Sequence, residues 1–237
     1  MNKEDMDKLV SWMKESRKTV ILTGAGMSTE SGIPDFRSEE GLWKKVNPMM
    51  VARPETIEEN YDLFHSFYKK RIENLKSKQP HKGYDVIAKW EKDQLVDTVV
   101  TQNVDDFHRL SGNQKVLCLH GSIRTHRCHD CKREAEEEAF LEKKPCKICG
   151  GRLRPNVVLF GESLSGESLT NATVAIKEAD LVMVIGTSLQ VYPVNQLPFL
   201  TSGRKVYINR EVHMGRDFDL CIEGDAQKIL LKLEEQI

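Results

Sequence analysis

A chain of 237 residues with 39% hydrophobic content can bury one sizeable core, as a large domain alone or with a small insertion. Lysine plus arginine, 35, balance aspartate plus glutamate, 36, to a formal net charge of -1, which argues against a general nucleic-acid or membrane-surface binder. No window approaches the roughly 18 apolar residues of a membrane span and the first residues carry no signal-peptide core, so the protein is expected in the cytoplasm.

Met6, Leu9, Val10 and Met13 recur at helical spacing, and TVILTGAG after them reads as a strand running into a glycine turn. Residues 38–78 are mainly helical. In the helix expected from about Pro54, Tyr61, Phe64, Tyr68, Ile72 and Leu75 form an apolar stripe, with Arg71 about 60° from it on the helical wheel. An arginine at the edge of an apolar face asks for an anionic partner; the competing reading is that it snorkels or pairs with Glu73 or Asp62. β-rich runs follow at Asp97–Thr101, Val116–Leu119, Val157–Phe160, Asp180–Ile185 and Lys205–Ile208, with helical patterns between several of them. The alternation predicts an α/β fold with a mostly parallel, helix-covered sheet. The runs lead into the loops GAGMSTESG, TQNVDD, HGS, FGES, GTSLQ and NRE, which points to one cleft at the carboxyl ends of the strands.

Four of the six cysteines form two Cys-x-x-Cys pairs, Cys128 with Cys131 and Cys146 with Cys149, joined by a linker too charged for a core. Four thiolates at this spacing close a tetrahedral zinc shell with no open position, so the metal is structural and supplies much of the folding energy of its lobe. Cys118 and Cys221 lie among apolar neighbours and read as buried thiols. The turn Gly24-Ala25-Gly26 after a strand could hold a pyrophosphate on backbone amides and the next helix's N-terminus. Thr29 occupies the place of the third glycine of the dinucleotide fingerprint and no acidic residue closes a second strand. Hydride transfer is thereby disfavoured.

The strings GAGMSTESGIPDFRS (24–38), TQNVD (101–105), LHGS (119–122), the paired Cys-x-x-Cys, RPNVVLFGE (154–162) and GTSLQVYP (186–193) resemble the sirtuin family in order and spacing over nearly the whole chain. The resemblance implies a Rossmann-like doubly wound domain made of residues 1–37, 79–125 and 152–237, with a smaller lobe formed by a helical insertion, 38–78, and a zinc-binding module, 126–151. It implies NAD-dependent removal of acyl groups from protein lysines. The acyl oxygen attacks the nicotinamide ribose, nicotinamide and O-acyl-ADP-ribose are released, and His120 acts as base on the ribose.

By the same resemblance Asn103 and Asp105, with Ile33 and Asp35, hold the nicotinamide carboxamide, Phe36 shields the reacting face and Arg37 faces the phosphates. Gly24, Ala25, Gly26, Ser28, Gln102, Gly186, Thr187 and Ser188 contribute to the NAD site. Asn209 and Glu211 are placed at the adenine ribose, and Gly224, Asp225 and Ala226 at the adenine. Val157, Val158, Phe160, Gly161 and Glu162 match the segment that pairs with the substrate peptide and lines the acyl-lysine tunnel. Tyr68-x-x-Arg71 with Ala52 resembles the subgroup that accepts malonyl and succinyl lysine, the arginine and tyrosine holding the distal carboxylate.

Asp106 and Phe107 depart from the family's usual glycine and leucine, and Leu159 from a frequent aromatic. Two other readings stand beside deacylation: mono-ADP-ribosyltransfer from the same NAD site, and a zinc-ribbon module that binds peptides without chemistry. The expected partners are acylated proteins or peptides, with no nucleic acid and no membrane, and a monomer is expected.

Overall fold

The computed structural model describes residues 2–39, 41–212 and 217–237. Its helices are α1 (Lys3–Glu15), α2 (Leu42–Lys45), α3 (Pro48–Val51), α4 (Pro54–Glu59), α5 (Tyr61–Lys76), α6 (Lys82–Lys92), α7 (Phe107–Leu110), α8 (Glu137–Leu141), α9 (Gly166–Lys177) and α10 (Ala226–Glu234). Its strands are β1 (Thr19–Thr23), β2 (Thr98–Thr101), β3 (Val116–Cys118), β4 (Gly121–Cys128), β5 (Glu134–Ala135), β6 (Leu153–Val157), β7 (Leu181–Ile185), β8 (Arg204–Asn209) and β9 (Leu220–Glu223).

The larger sheet has the order β3-β2-β1-β7-β8-β9 and every pair in it is parallel. The chain starts in the middle, moves to one edge, then returns to build the other half. This is the strand order of dinucleotide-binding folds, and its direction reverses between β1 and β7, where such folds bind ligand. Both faces are covered, so β1 and β7 are buried at every position and read as continuous apolar runs. Alternate residues feed two cores. Ile21, Leu181, Met183 and Ile185 pack with α1, α6 and α10, whereas Val20, Leu22, Val182 and Val184 pack with α9. α1 buries the four residues at its expected helical spacing, and Asn2 caps it by accepting from the Glu4 amide.

The smaller lobe holds a three-stranded sheet, β5-β4-β6, with antiparallel pairing. Three expectations need correction here. Val157–Phe160 is not a strand of the main sheet: the strand is Leu153–Val157, it pairs with β4, and residues 158–160 leave it as an irregular segment. The helix expected from Pro54 is two helices, broken at Asn60, whose backbone (φ -148°, ψ 68°) leaves the helical region and whose side chain accepts from the Leu63 amide to cap α5. β9, short and alternately buried, was not anticipated. The second sheet also begins at Gly121 and resumes at Leu153, so strands on both sides of segment 126–151 belong to it.

Candidate active site

The loops leaving β1, β2, β7 and β8 are bonded to one another at the point where strand order reverses. A Cβ on Gly26 would stand 2.8 Å from the Gly186 carbonyl oxygen, and one on Gly24 2.5 Å from the Thr187 Cβ. Two bare backbones therefore touch, and only glycine fits. Thr187 Oγ1 accepts from Gln102 Nε2 at 2.9 Å and from the Leu189 amide at 3.2 Å. Tyr207 donates its hydroxyl to the Thr187 carbonyl at 2.8 Å and accepts from Asn209 Nδ2 at 2.8 Å. The Gly24 turn opens a 3-10 segment, Ala25–Ser31, instead of the α-helical N-terminus expected from the sequence. Ser188 is partly exposed and, among the described residues, its hydroxyl makes no hydrogen bond, so it is open to a ligand.

Ser28, 1% exposed, is the hub of a buried network. Its hydroxyl donates to Asp105 Oδ2 at 2.7 Å, accepts from Asn103 Nδ2 at 3.1 Å and lies 2.7 Å from the Tyr84 hydroxyl. Asn103 Nδ2 also donates to the Gly24 carbonyl, and Asp105 Oδ1 accepts from the Phe107 amide. Both amide protons of Asn103 are thus used, which leaves its Oδ1 as the free polar atom. Burial raises the Asp105 pKa, although the Phe107 amide and Ser28 oppose it. Tyr84 was missed in the sequence, because an aromatic on an amphipathic helix carries no sign of its polar tip. Asp35 is engaged within its own loop: its Oδ1 accepts from the Arg37 and Ser38 amides and shapes the turn that carries Phe36.

His120 sits between β3 and β4. Its Nδ1 is 3.0 Å from the Gln102 carbonyl oxygen. A carbonyl only accepts, so Nδ1 carries the proton and Nε2 keeps its lone pair. Burial lowers the His120 pKa, the Gln102 bond opposes that, and the charge of Arg37 lowers it further. This shift favours the neutral ring, whose Nε2 lone pair is left without a partner among the described residues.

The other wall comes from the small lobe. The Val158 amide donates to the His120 carbonyl at 3.0 Å, and the Phe160 amide to the Ala52 carbonyl at 2.8 Å, which draws 157–162 and Ala52 to the His120 turn. Trp43 stacks on Phe36, centroids 5.0 Å apart, and lies 6.3 and 6.0 Å from the rings of Phe67 and Phe160. The Arg71 guanidinium lies 5.5 Å from the centroids of Phe36 and Phe67 and 5.7 Å from that of Tyr68. Asp62 pairs with Lys143 and Glu73 approaches Lys69 at 4.0 Å. Among the described residues Arg71 has neither an ion pair nor a hydrogen bond. Tyr68 is buried and its pKa is pushed up to about 12, so its hydroxyl stays a donor.

Glu162 is engaged within the chain. Its two oxygens accept from Arg154 Nη1 and Nη2 at 2.6 and 2.9 Å, and Oε2 also accepts from the Leu159 amide at 2.8 Å. Arg154, wholly buried, donates to the Val157 carbonyl as well. This pair, which no sequence pattern announces, moulds the 157–162 segment. On the far side Asp225 pairs with Arg210 and Lys228, both at 2.7 Å, Ala226 is buried, and Asn209 Nδ2 reaches the Glu211 carbonyl.

The four cysteine sulfurs lie within 4.8 Å of one another, with Cys128 3.5 Å from Cys149 and Cys131 3.7 Å from Cys146. Zinc bonds of about 2.3 Å in a tetrahedron place sulfurs about 3.8 Å apart, so the quartet fits a closed structural zinc shell. Neither remaining thiol is fully buried as expected: Cys118 is half-buried and accepts from Arg109 Nη1 at 3.1 Å, and Cys221 is also half-buried.

Residues 24–193 match the Sir2 family. The chain is 47% identical over 190 residues to an NAD-dependent protein deacetylase of Halalkalibacterium halodurans, covering 80% of each. It is 38% identical over 237 residues to an NAD-dependent protein deacylase of Pyrococcus furiosus, covering 95% of each. Among solved structures it superimposes with TM-score 0.93 on a mutant Sir2 homologue bound to ADP-ribose, at 34% identity over 99% of this chain and 96% of that one. A Sir2 complex with a p53 peptide and NAD+ gives TM-score 0.88 and 32% identity, covering 98% of each.

Proposed function

The chain belongs to the Sir2 family, and from that membership and the site we propose that it strips acidic acyl groups, malonyl and succinyl, from protein lysines as well as acetyl. It is an NAD-dependent protein deacylase with a structural zinc site. Bound NAD supplies a ribose carbon made electrophilic by its nicotinamide leaving group.

The chain's own groups serve that chemistry. The free Oδ1 of Asn103 and the backbone around Asp105 orient the carboxamide, and the Ser28 network keeps both side chains in one rotamer. Nε2 of His120 takes a proton from the ribose, while the Gln102 carbonyl fixes the ring. Phe36, roofed by Trp43, keeps water from the reacting face. The peptide adds along 157–161. There the amides of Val158, Leu159 and Phe160 all donate within the chain, whereas among the described residues the Val158 and Phe160 carbonyls accept nothing, so the substrate strand supplies donors at period two.

Arg71 carries the acidic-acyl reading. It is a guanidinium in an aromatic box that, among the described residues, forms no ion pair and feels only the more distant charge of Asp105, next to a phenol held neutral, and an acyl carboxylate would satisfy both. Burial lowers the Arg71 pKa, and the same loss of water strengthens its attraction for an anion. The test is mass spectrometry of NAD reactions with acetyl, malonyl and succinyl lysine peptides, with His120→Ala as control. Wild type should form O-acyl-ADP-ribose, and Arg71→Met should lose at least about tenfold on succinyl while keeping acetyl turnover. An unchanged acyl ranking in Arg71→Met would refute the acidic preference. ADP-ribosylated protein in place of O-acyl-ADP-ribose would refute deacylation.

A further inference from the structure

Asp106 stands at φ 64°, ψ 16°, in the left-handed region that suits glycine, and aspartate is among the side chains that tolerate it. Its carboxylate faces two ways. Oδ2 accepts from Ser122 Oγ at 2.8 Å and Oδ1 from Arg109 Nη1 at 2.9 Å. Arg109 in turn donates through Nη1 to Cys118 Sγ and through Nη2 to the Val116 carbonyl, both at 3.1 Å.

His120 lies midway between Cys118 and Ser122. The Asp106 carboxylate therefore reaches both flanks of the turn that presents the base, on the last residue of β3 and near the start of β4. The same loop supplies Gln102, whose carbonyl takes the Nδ1 proton of His120, and Asn103 and Asp105. Two further bonds join loop and strand, from the Ile123 amide to the Val104 carbonyl and from Arg124 Nε to the Asp105 carbonyl. These are made to backbone atoms and would survive a change at Asp106. Loss of the carboxylate should loosen the His120 turn without unfolding it.

We propose that Asp106, through Ser122 and Arg109, is a positioning residue that locks the His120 turn to the loop bearing Asn103 and Asp105. The proposal rests on His120 being the base, so the test includes His120→Ala. Asp106→Gly accepts the backbone angle and removes only the carboxylate. Asp106→Asn also accepts the angle and keeps one oxygen acceptor. With NAD and an acyl-lysine peptide, Asp106→Gly should lower kcat about tenfold while KM for NAD moves less than about threefold, and Asp106→Asn should recover to within about threefold of wild type. Melting temperature and bound zinc should match wild type in both. An inactive His120→Ala beside a fully active Asp106→Gly would overturn the lock alone, whereas an active His120→Ala would overturn the assignment of the base. Equal losses in both Asp106 variants with a lowered melting temperature would also overturn the proposal, by making Asp106 a determinant of stability.

Discussion

Replacing Glu162 with glutamine keeps the shape of the side chain and removes the charge that faces Arg154. The arginine is wholly buried and its partner side chain is 24% exposed, so the pair lies between two known regimes. Exposed pairs contribute about 0–1 kcal/mol, whereas breaking a fully buried pair costs about 3–5 kcal/mol because the remaining charge has no solvent. With water reaching only the carboxylate side, about 2–3 kcal/mol is expected. For a chain of this size each kcal/mol moves the melting temperature about 2–4 °C, which gives a fall of about 4–12 °C by calorimetry. Burial raises the Glu162 pKa, but the Arg154 and Leu159 bonds outweigh it and the net shift is downward. The carboxylate thus stabilises the fold above its unfolded pKa, and that contribution is lost as pH falls through the folded value; the variant and wild type should converge in acid. A variant melting within about 2 °C of wild type at pH 7 would refute the argument.

Burial lowers the His120 pKa and the neutral ring is the proposed base, so deacylation should be flat from pH 7 to pH 8 and fall on an acid limb whose midpoint lies below about 6.5. A kcat/KM profile with its limb above pH 7 would contradict this. Gly26→Ala drives a Cβ into the Gly186 backbone and should weaken NAD binding at least about tenfold by calorimetric titration, since neither loop can retreat without opening the other. Unchanged affinity would show that the two loops are not rigidly apposed.

What the sequence disclosed followed from periodicity and spacing. β1 and β7 were legible because strands buried on both faces must be apolar throughout, and the cysteine quartet because zinc geometry constrains spacing. The run Val157–Phe160 is apolar for another reason: only Val157 belongs to a strand, and that strand is in the small sheet, while Leu159 is buried in the core beyond the strand end, beside the Arg154–Glu162 pair. Asn60 breaks a continuous helical stripe by a local cap, and the stripe alone cannot reveal that. The pairing of Arg154 with Glu162 and of Ser28 with Tyr84 depends on the path of the chain, which no periodic signal encodes.

His120 lies on the junction between the two sheets, after β3 of the large one and before β4 of the small one. Everything expected to hold NAD descends from the parallel sheet, and everything expected to sort acyl chains, Ala52, Tyr68, Arg71 and Phe160, comes from the small lobe. Among the described residues, the groups proposed to set acyl preference therefore share no hydrogen bond with Nδ1 of His120, which bonds the Gln102 carbonyl, and their segment meets the His120 turn through the bond from the Val158 amide to the His120 carbonyl. Substitution at Arg71 should accordingly change which acyl group is removed while leaving the pH profile of removal in place, whereas a change at Gln102, Asp106 or Ser122 should act on every acyl chain alike.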